Sequence, residues 1–413
     1  MTSLKRTKPT FVELFAGVGG FRLGLEKSGW EHAWSNQWEP ATRLQHASSC
    51  YVGNFGQHGH SNQDIAEVTK RLKNGEAIIP KADLLVGGFP CQDYSVAKSL
   101  GSAKGIQGKK GVLWWEILEI VSSRKPKVIL LENVDRLLSS PSGQKGRDFA
   151  IMLRTLSDQG FFIEWRVINS ADYGFPQRRK RVFVFAHKKS LTKFNSEPSK
   201  TILSKAFPIS GFETLSKFEI NSEAEWLTNY FGLNSKKSSF QNWGIFDGQN
   251  VHTAKVFPQS EEQSSLRDIL VPTEEVPEEF WVNPDEIKQW EFLKGSKALE
   301  RTTADGFIYK YSEGQMAFPD DLERPSRTIL TGEGGRTPSR FKHVVKVQGR
   351  LRRLTPVELE RLNGFPDDWT KFHQDGTEIS DARRAFFMGN ALVIGLVERA
   401  GKVIRKEFFE PGA

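Results

Sequence analysis

From Thr10 to about His187 the chain alternates short runs of apolar or β-branched residues with longer amphipathic stretches, the rhythm of a parallel sheet covered by helices. Four runs stand out. Phe11–Phe15 breaks into Ala16-Gly17-Val18-Gly19-Gly20, Ala82–Val86 into Gly87-Gly88-Phe89-Pro90-Cys91-Gln92, and Val128–Leu131 into Glu132-Asn133, while Arg181 opens the run Val182–Ala186. The first three put their glycine or polar residues just past a strand, at the carboxyl edge where open α/β sheets keep their chemistry. If Phe161–Ile168 runs toward that edge and Val182–Ala186 runs back, Arg181 starts there too.

Past Lys188 the alternation fades, and up to about Arg350 aromatic, hydroxyl, amide and charged residues mix without a clear period. This stretch is expected to be a second domain or a large insertion. Regularity returns at Leu354-Thr355-Pro356-Val357-Glu358, where Thr355 can cap a helix, Pro356 can take its first position and Glu358 can close a capping box, with Gly364 ending the helix. An apolar stripe from Leu392 to Ile404 predicts a last helix that returns to the first domain. The expected divisions are 1–187, 188–350, a hinge segment 351–384 and a C-terminal helical segment 385–413.

At 413 residues the chain exceeds the usual reach of one core, consistent with two domains. No uninterrupted apolar stretch approaches a membrane span. The polar, basic start Met1–Pro9 lacks a secretory core, and two cysteines, Cys50 and Cys91, make no disulfide framework, so a reducing cytoplasm is the expected compartment. A net charge of +8 permits a polyanionic partner without requiring one, and the acidic stretch Glu261–Glu286 means that only part of the second domain can face it.

The hexapeptide around Cys91 is equally compatible with a nucleophile and with a buried apolar thiol. Gly17-Val18-Gly19-Gly20 lets backbone approach a ligand at the start of a helix Phe21–Lys27 that Gly29 stops. Because Gly24 departs from the dinucleotide spacing, the loop suits a nucleoside without a pyrophosphate. About twenty residues on, where a ribose-binding carboxylate is often found, stands Asn36-Gln37-Trp38-Glu39, with Trp38 able to cover an adenine or to fill a core. Glu132, held beside apolar walls, would carry a raised pKa and deliver a proton, although alone it is equally a salt-bridge partner. In the basic cluster Gln177–Arg181, Arg181 precedes a buried-looking strand, and a buried guanidinium wants an oxygen partner.

These segments, in this order, resemble the cytosine-5 DNA methyltransferases. Phe11–Phe21 resembles the family's S-adenosylmethionine motif, Gly87–Gln92 its Pro-Cys motif, Glu132-Asn133-Val134 its Glu-Asn-Val motif and Gln177–Arg181 its Gln-x-Arg-x-Arg motif. Arg352–Trp369 and Gly389-Asn390-Ala391 resemble its last two blocks. The resemblance implies an α/β fold with a Rossmann-like, mostly parallel sheet and a second, smaller, variable target-recognition domain.

It also implies chemistry. Cys91 would add to C6 of a cytosine flipped out of duplex DNA, Glu132 would protonate N3, Arg181 would bind O2, and C5 would take a methyl group from S-adenosylmethionine; Arg179 is placed beside them. The implied cofactor contacts are Phe15, Ala16, Gly17, Val18, Gly19, Gly20, Gln37, Trp38, Asp64, Ile65, Pro90, Leu113, Asn390 and Ala391, with Asp64 on the adenine amino group and no metal. Gln37 departs from the family's ribose-binding acid, which implies weakened cofactor binding. Asp93–Lys110 would be a closing loop or an ordinary surface loop. Candidate DNA contacts are Gln92, Ser95, Arg179, Arg327, Arg336 and Arg340, where the segments 324–328 and 332–342 could equally brace a hinge. With no regulatory domain extending the chain, a monomeric modification enzyme of a bacterial restriction system is expected, its endonuclease not stably bound. A tRNA methyltransferase of the same fold and a catalytically silent DNA-binding relative are the alternatives.

Overall fold

The computed structural model describes residues 8–89, 113–192, 195–302, 306 and 308–410. Pro90, Cys91, Gln92, Ser95 and the loop candidate Asp93–Lys110 lie outside the described residues. The first part of the chain forms β1 (Thr10–Leu14), α1 (Gly20–Lys27), β2 (Glu31–Asn36), α2 (His46–Phe55), β3 (His60–Ser61), α3 (Ile65–Lys73), β4 (Leu84–Gly88), α4 (Leu113–Arg124), β5 (Val128–Val134), α5 (Arg147–Asp158), β6 (Phe161–Asn169) and β7 (Lys180–Lys188). The next stretch adds α6 (Ile202–Ala206), β8 (Ile209–Phe212), β9 (Ser216–Glu219), α7 (Ala224–Asn229), β10 (Trp243–Phe246), β11 (Asn250–Ala254) and β12 (Val256–Pro258).

One sheet runs β3-β2-β1-β4-β5-β7-β6-β10-β11-β9. Strands β3 to β5 pair in parallel, while β7 lies antiparallel between β5 and β6, so that β7, β10 and β9 oppose the direction of the others. Apolar residues alternate across the strands as the period of two requires. Val182, Val184 and Ala186 join a core under α3, α4 and α5, and Phe183 and Phe185 join a second core under α1, α6 and the last helix. Both faces are covered, which is why these strands are nearly continuous apolar runs.

The sheet does not stop at His187. Strands β10, β11 and β9, which come from beyond Lys188, extend it by hydrogen-bonded antiparallel pairing to β6. The expected break at 187/188 therefore falls within one packed unit. The sequence rhythm fades there because antiparallel neighbours need no crossover helix between them.

The rest of the chain contributes α8 (Ile287–Lys294), β13 (Lys297–Thr302), β14 (Ile308–Glu313), β15 (Val344–Val347), β16 (Arg350–Arg353), α9 (Pro356–Asn363), α10 (Asp381–Asn390) and α11 (Ile394–Phe409). A third core joins Leu266, Ile269, Ile329 and Val345 to Leu359, Leu362 and Met388. The expected division at 350/351 is likewise crossed, by the β15–β16 hairpin and by this core. Helix α9 begins with the capping box of Thr355 and Glu358, has Pro356 in its first turn, and ends at Gly364 with φ 78°. Glu358 also takes both arms of the buried Arg352 at 2.6 and 2.8 Å, tying the hairpin to the helix.

Helix α11 returns to the first part of the chain and packs Leu396, Val397, Ala400 and Ile404 against α1 and the sheet, each large apolar side chain worth about 2 kcal/mol of burial. Gly24 permits this approach. A Cβ there would lie 2.8 Å from Cβ of Val397 and 2.9 Å from the Ile394 carbonyl, so the glycine that spoils the dinucleotide spacing serves helix packing instead.

Candidate active site

The loop after β1 is held in a shape that side chains resist. Phe15 and Gly17 have φ of 56° and 55°, and Gly19, the N-cap of α1, has φ 91°. Such left-handed positions suit Gly and strain Phe, a cost that persists only where neighbours enforce it. They do so here. The Ala16 amide donates to the Asn36 carbonyl at 2.9 Å, the Gly17 amide to Oε1 of Gln37 at 2.8 Å, and Trp369 Nε1 to the Val18 carbonyl at 2.8 Å. Leu392 closes over Gly20, where a Cβ would stand 3.3 Å from it. No side chain caps α1, which leaves its first amides to the loop or to a ligand.

The neighbouring segments join the same edge. Asn36 donates to the carbonyls of Ser61 and Gln63, bringing Asp64 beside the end of β2. Asp64 caps α3 through Oδ1, which accepts from the Ala66 amide at 3.0 Å, and this leaves Oδ2 for another donor. Trp38 is 38% exposed, so it is no core aromatic. Asn390 and Ala391 end α10 just before Leu392. Glu39 is committed elsewhere: its Oε2 accepts from the Ala47 amide at 2.9 Å at the start of α2. Ile65, the first residue of α3, buries its side chain in the first core, so only its main chain is left to meet a ligand; Leu113 packs against that core and is only partly covered.

At the ends of β4, β5 and β7 the second set comes together. Glu132 is paired in register with Gly88, three residues before Cys91 in the sequence. Arg181 donates through Nε to Oε1 of Glu132 at 2.9 Å. Oε2 of Glu132 turns toward Gly88, where an added Cβ would approach it to 3.2 Å, so a glycine leaves that oxygen room. Burial raises the Glu132 pKa, and the guanidinium groups of Arg181 and Arg179 pull against it. Asn133 donates through Nδ2 to the Phe89 carbonyl at 2.9 Å, fixing the chain just before Pro90. The other cysteine, Cys50, is buried in the third core with its thiol pushed up to about 12, and is inert by that measure.

The basic cluster, which leads into β7, divides by alternate burial. Gln177 and Arg179 point inward, Arg178 and Lys180 outward. Gln177 donates to the Leu362 carbonyl and to Oδ1 of Asn363, and accepts from the Ile329 amide. Arg179 is 1% exposed and donates to the carbonyls of Ile329 at 3.2 Å and Gly389 at 2.9 Å. Burial, with Arg181 nearby, lowers its pKa to about 9. Its expected role as a DNA contact is therefore corrected, since a guanidinium enclosed by two backbone carbonyls cannot reach a phosphate. Its hydrogen bonds brace the segment before Arg181 against the C-terminal blocks, while its charge still acts on Glu132.

Two further DNA candidates are also braces. Arg327 grips both oxygens of Asp320, at 2.7 and 3.2 Å, and the carbonyls of Phe341 and Lys342. Arg340 donates to the carbonyls of Leu293, Gly295 and Gly314 and pairs with Glu313. Arg336 stays exposed, with Glu279 at 3.2 Å as a surface partner. Gly88, Asn133 and Gln177 were not foreseen as site residues. All three lie inside the motifs Gly87–Gln92, Glu132–Val134 and Gln177–Arg181, but nothing in the sequence says which groups they meet. Among the described residues there is no cluster of three or more His, Cys, Asp or Glu able to hold a metal, and no helix long and apolar enough to cross a membrane.

A family model described as C-5 cytosine-specific DNA methylase matches residues 9–406. The chain is 46% identical over 411 residues to the Type II methyltransferase M.Sau3AI of Staphylococcus aureus, across 96% of this chain and 95% of that protein. It is 27% identical to the Type II methyltransferase M.HhaI of Haemophilus parahaemolyticus, across 94% and 91%. Among solved structures, S. pombe Dnmt2 methyltransferase superposes with a TM-score of 0.60 at 14% identity, covering 98% of this chain and 100% of that one, a likeness of fold.

Proposed function

Because the chain belongs to the C-5 cytosine-specific DNA methylases and so transfers methyl groups to C5 of cytosine in DNA, we propose that Cys91, Glu132 and Arg181 carry the reaction. The Glu132–Arg181 pair, on the strand edge that also ends at Gly88, is the observation that supports it. Cytosine C5 is a weak nucleophile until C6 is attacked. The Cys91 thiolate forms the C6–S bond, the displaced electron pair moves toward N3 and O2, Glu132 protonates N3 and Arg181 holds O2. C5 then gains the methyl group with release of S-adenosylhomocysteine, N3 gives its proton back to Glu132, a base takes the C5 proton, and the C6–S bond breaks to restore both the C5–C6 double bond and the thiolate. Desolvation of Glu132 favours its proton-bearing form, the one this scheme needs. Since C6 is inaccessible within a stacked duplex, the cytosine is flipped out.

The residues at the first loop fit S-adenosylmethionine, which supplies an electrophilic methyl group when bound. The strained turn Phe15–Gly19 and uncapped α1 would receive its amino-acid end, the free oxygen of Asp64 its adenine amino group, and the face of Trp38 the adenine ring. Asn390 and Ala391 would close the site from the C-terminal side. Similarity to Type II methyltransferases supports a role as the modification enzyme of a restriction-modification system; on this proposal it acts in the cytoplasm as a monomer, without a stable complex with its endonuclease. Arg336 is the remaining recognition candidate of the three arginines proposed in the second domain.

Incubation with labelled S-adenosylmethionine and separate pools of duplex DNA and tRNA tests this function. Label should enter DNA and vanish with Cys91→Ser. Label in tRNA alone would overturn the substrate, and label surviving Cys91→Ser would overturn the nucleophile.

A further inference from the structure

In a βαβ nucleoside site, an acid about twenty residues beyond the glycine turn ordinarily accepts hydrogen bonds from the ribose hydroxyls. Gln37 holds that place here, and what its amide can offer is decided by a bond already made. The Gly17 main-chain N–H, which can only donate, lies 2.8 Å from one end of the Gln37 amide. That end must be the oxygen, because a nitrogen there would set donor against donor. The Gln37 backbone is pinned as well: its N–H donates to the Ser61 carbonyl at 3.1 Å, and its carbonyl accepts from Asn62 at 2.6 Å. The remaining polar end, Nε2, has no partner among the described residues. The next carboxylate, Glu39, is occupied at the start of α2.

We infer that Gln37 recognises the cofactor ribose as a hydrogen-bond donor, so that a ribose oxygen accepts from Nε2 where an acid would have taken a hydroxyl proton. This rests on the assignment of the first loop to S-adenosylmethionine. The site is thereby neutral and tolerant of a ribose oxygen that has no proton to give. A carboxylate at the same place would keep the Gly17 bond with one oxygen and demand a hydroxyl donor with the other.

The test is calorimetric titration of S-adenosylhomocysteine and its 2′-O-methyl and 3′-O-methyl ethers, whose ether oxygens accept but do not donate, into the wild-type protein and Gln37→Glu. The expected result is that wild type binds at least one ether with an affinity within about threefold of the parent, and that Gln37→Glu loses about tenfold or more on the same change, a charge-assisted bond being roughly twice as strong as a neutral one. Rejection of both ethers by the wild type overturns the inference, as does a loss in the wild type equal to or larger than that in the variant. The wild-type titrations decide the matter even if Gln37→Glu does not fold. Failure of S-adenosylhomocysteine itself to bind would instead refute the assignment of the cofactor site.

Discussion

Two carboxyl groups show how much a single residue's surroundings decide. Glu132 is buried against Arg181, and replacement by Gln keeps its size while removing the transferable proton. Glu132→Gln is expected to lower kcat by about 10²–10⁴ while leaving S-adenosylhomocysteine affinity unchanged, as read by single-turnover kinetics and calorimetry. Glu13 in β1 is fully buried, accepts from the Tyr51 hydroxyl at 3.3 Å, and is pushed by desolvation from 4.5 to about 8. The folded protein then keeps a proton that the unfolded chain has released. Its stabilising contribution is complete below about pH 4.5 and is lost as pH rises to about 8. Glu13→Gln has no proton to lose. Relative to wild type it should therefore gain about 2–3 kcal/mol in urea denaturation between pH 5.5 and 7.5; parallel pH profiles would refute this. Glu132 was legible as a candidate because a charged residue followed a continuous apolar strand, whereas its pairing with Arg181 depended on β7 running back beside β5.

At the scale of elements, alternate burial sorts the cluster Gln177–Arg181 into two jobs that its composition does not separate. The inward pair ties the segment leading into β7 to Ile329, Leu362, Asn363 and Gly389, and so joins the catalytic edge to the C-terminal blocks. Removing the Arg179 guanidinium would leave buried carbonyls without donors. Arg179→Met should cost about 2–4 kcal/mol in urea denaturation, while Arg178→Met should stay within about 0.5 kcal/mol. Equal costs would contradict the assigned inward and outward roles. The α9 capping box was readable in advance because it is a local pattern of Thr, Pro and Glu at fixed offsets. The destinations of Arg179, Arg327 and Arg340 were not, since a guanidinium serves a phosphate and a backbone carbonyl equally well.

For the whole molecule, the net charge of +8 does not say which cations face DNA, because Arg327, Arg340 and Arg352 are held by internal carboxylates and carbonyls. Among the described residues, Arg178 and Lys180 are exposed cations on either side of buried Arg179 and next to Arg181. DNA affinity should fall linearly with salt on logarithmic axes, and replacing both residues with Ala should reduce the slope by about two, equally for any duplex sequence. An unchanged slope in filter binding would place the phosphate contacts elsewhere.

What the sequence determined by itself is local in cause: the strand runs and their glycine or polar ends, the capping box, the return of the last helix, and the ordered motifs that mark a cytosine-5 methyltransferase. Periodicity, caps and turn residues act over a few positions, so they survive in a linear reading. Tertiary structure alone decided that the sheet continues past Lys188 and that one core spans residues on both sides of Arg350. It also decided that Gly24 serves helix packing, that Arg179 braces, and that the Gln37 oxygen is already held by Gly17. Each depends on which distant group arrives within hydrogen-bonding or van der Waals reach. That is a property of the packed chain and not of any window along it.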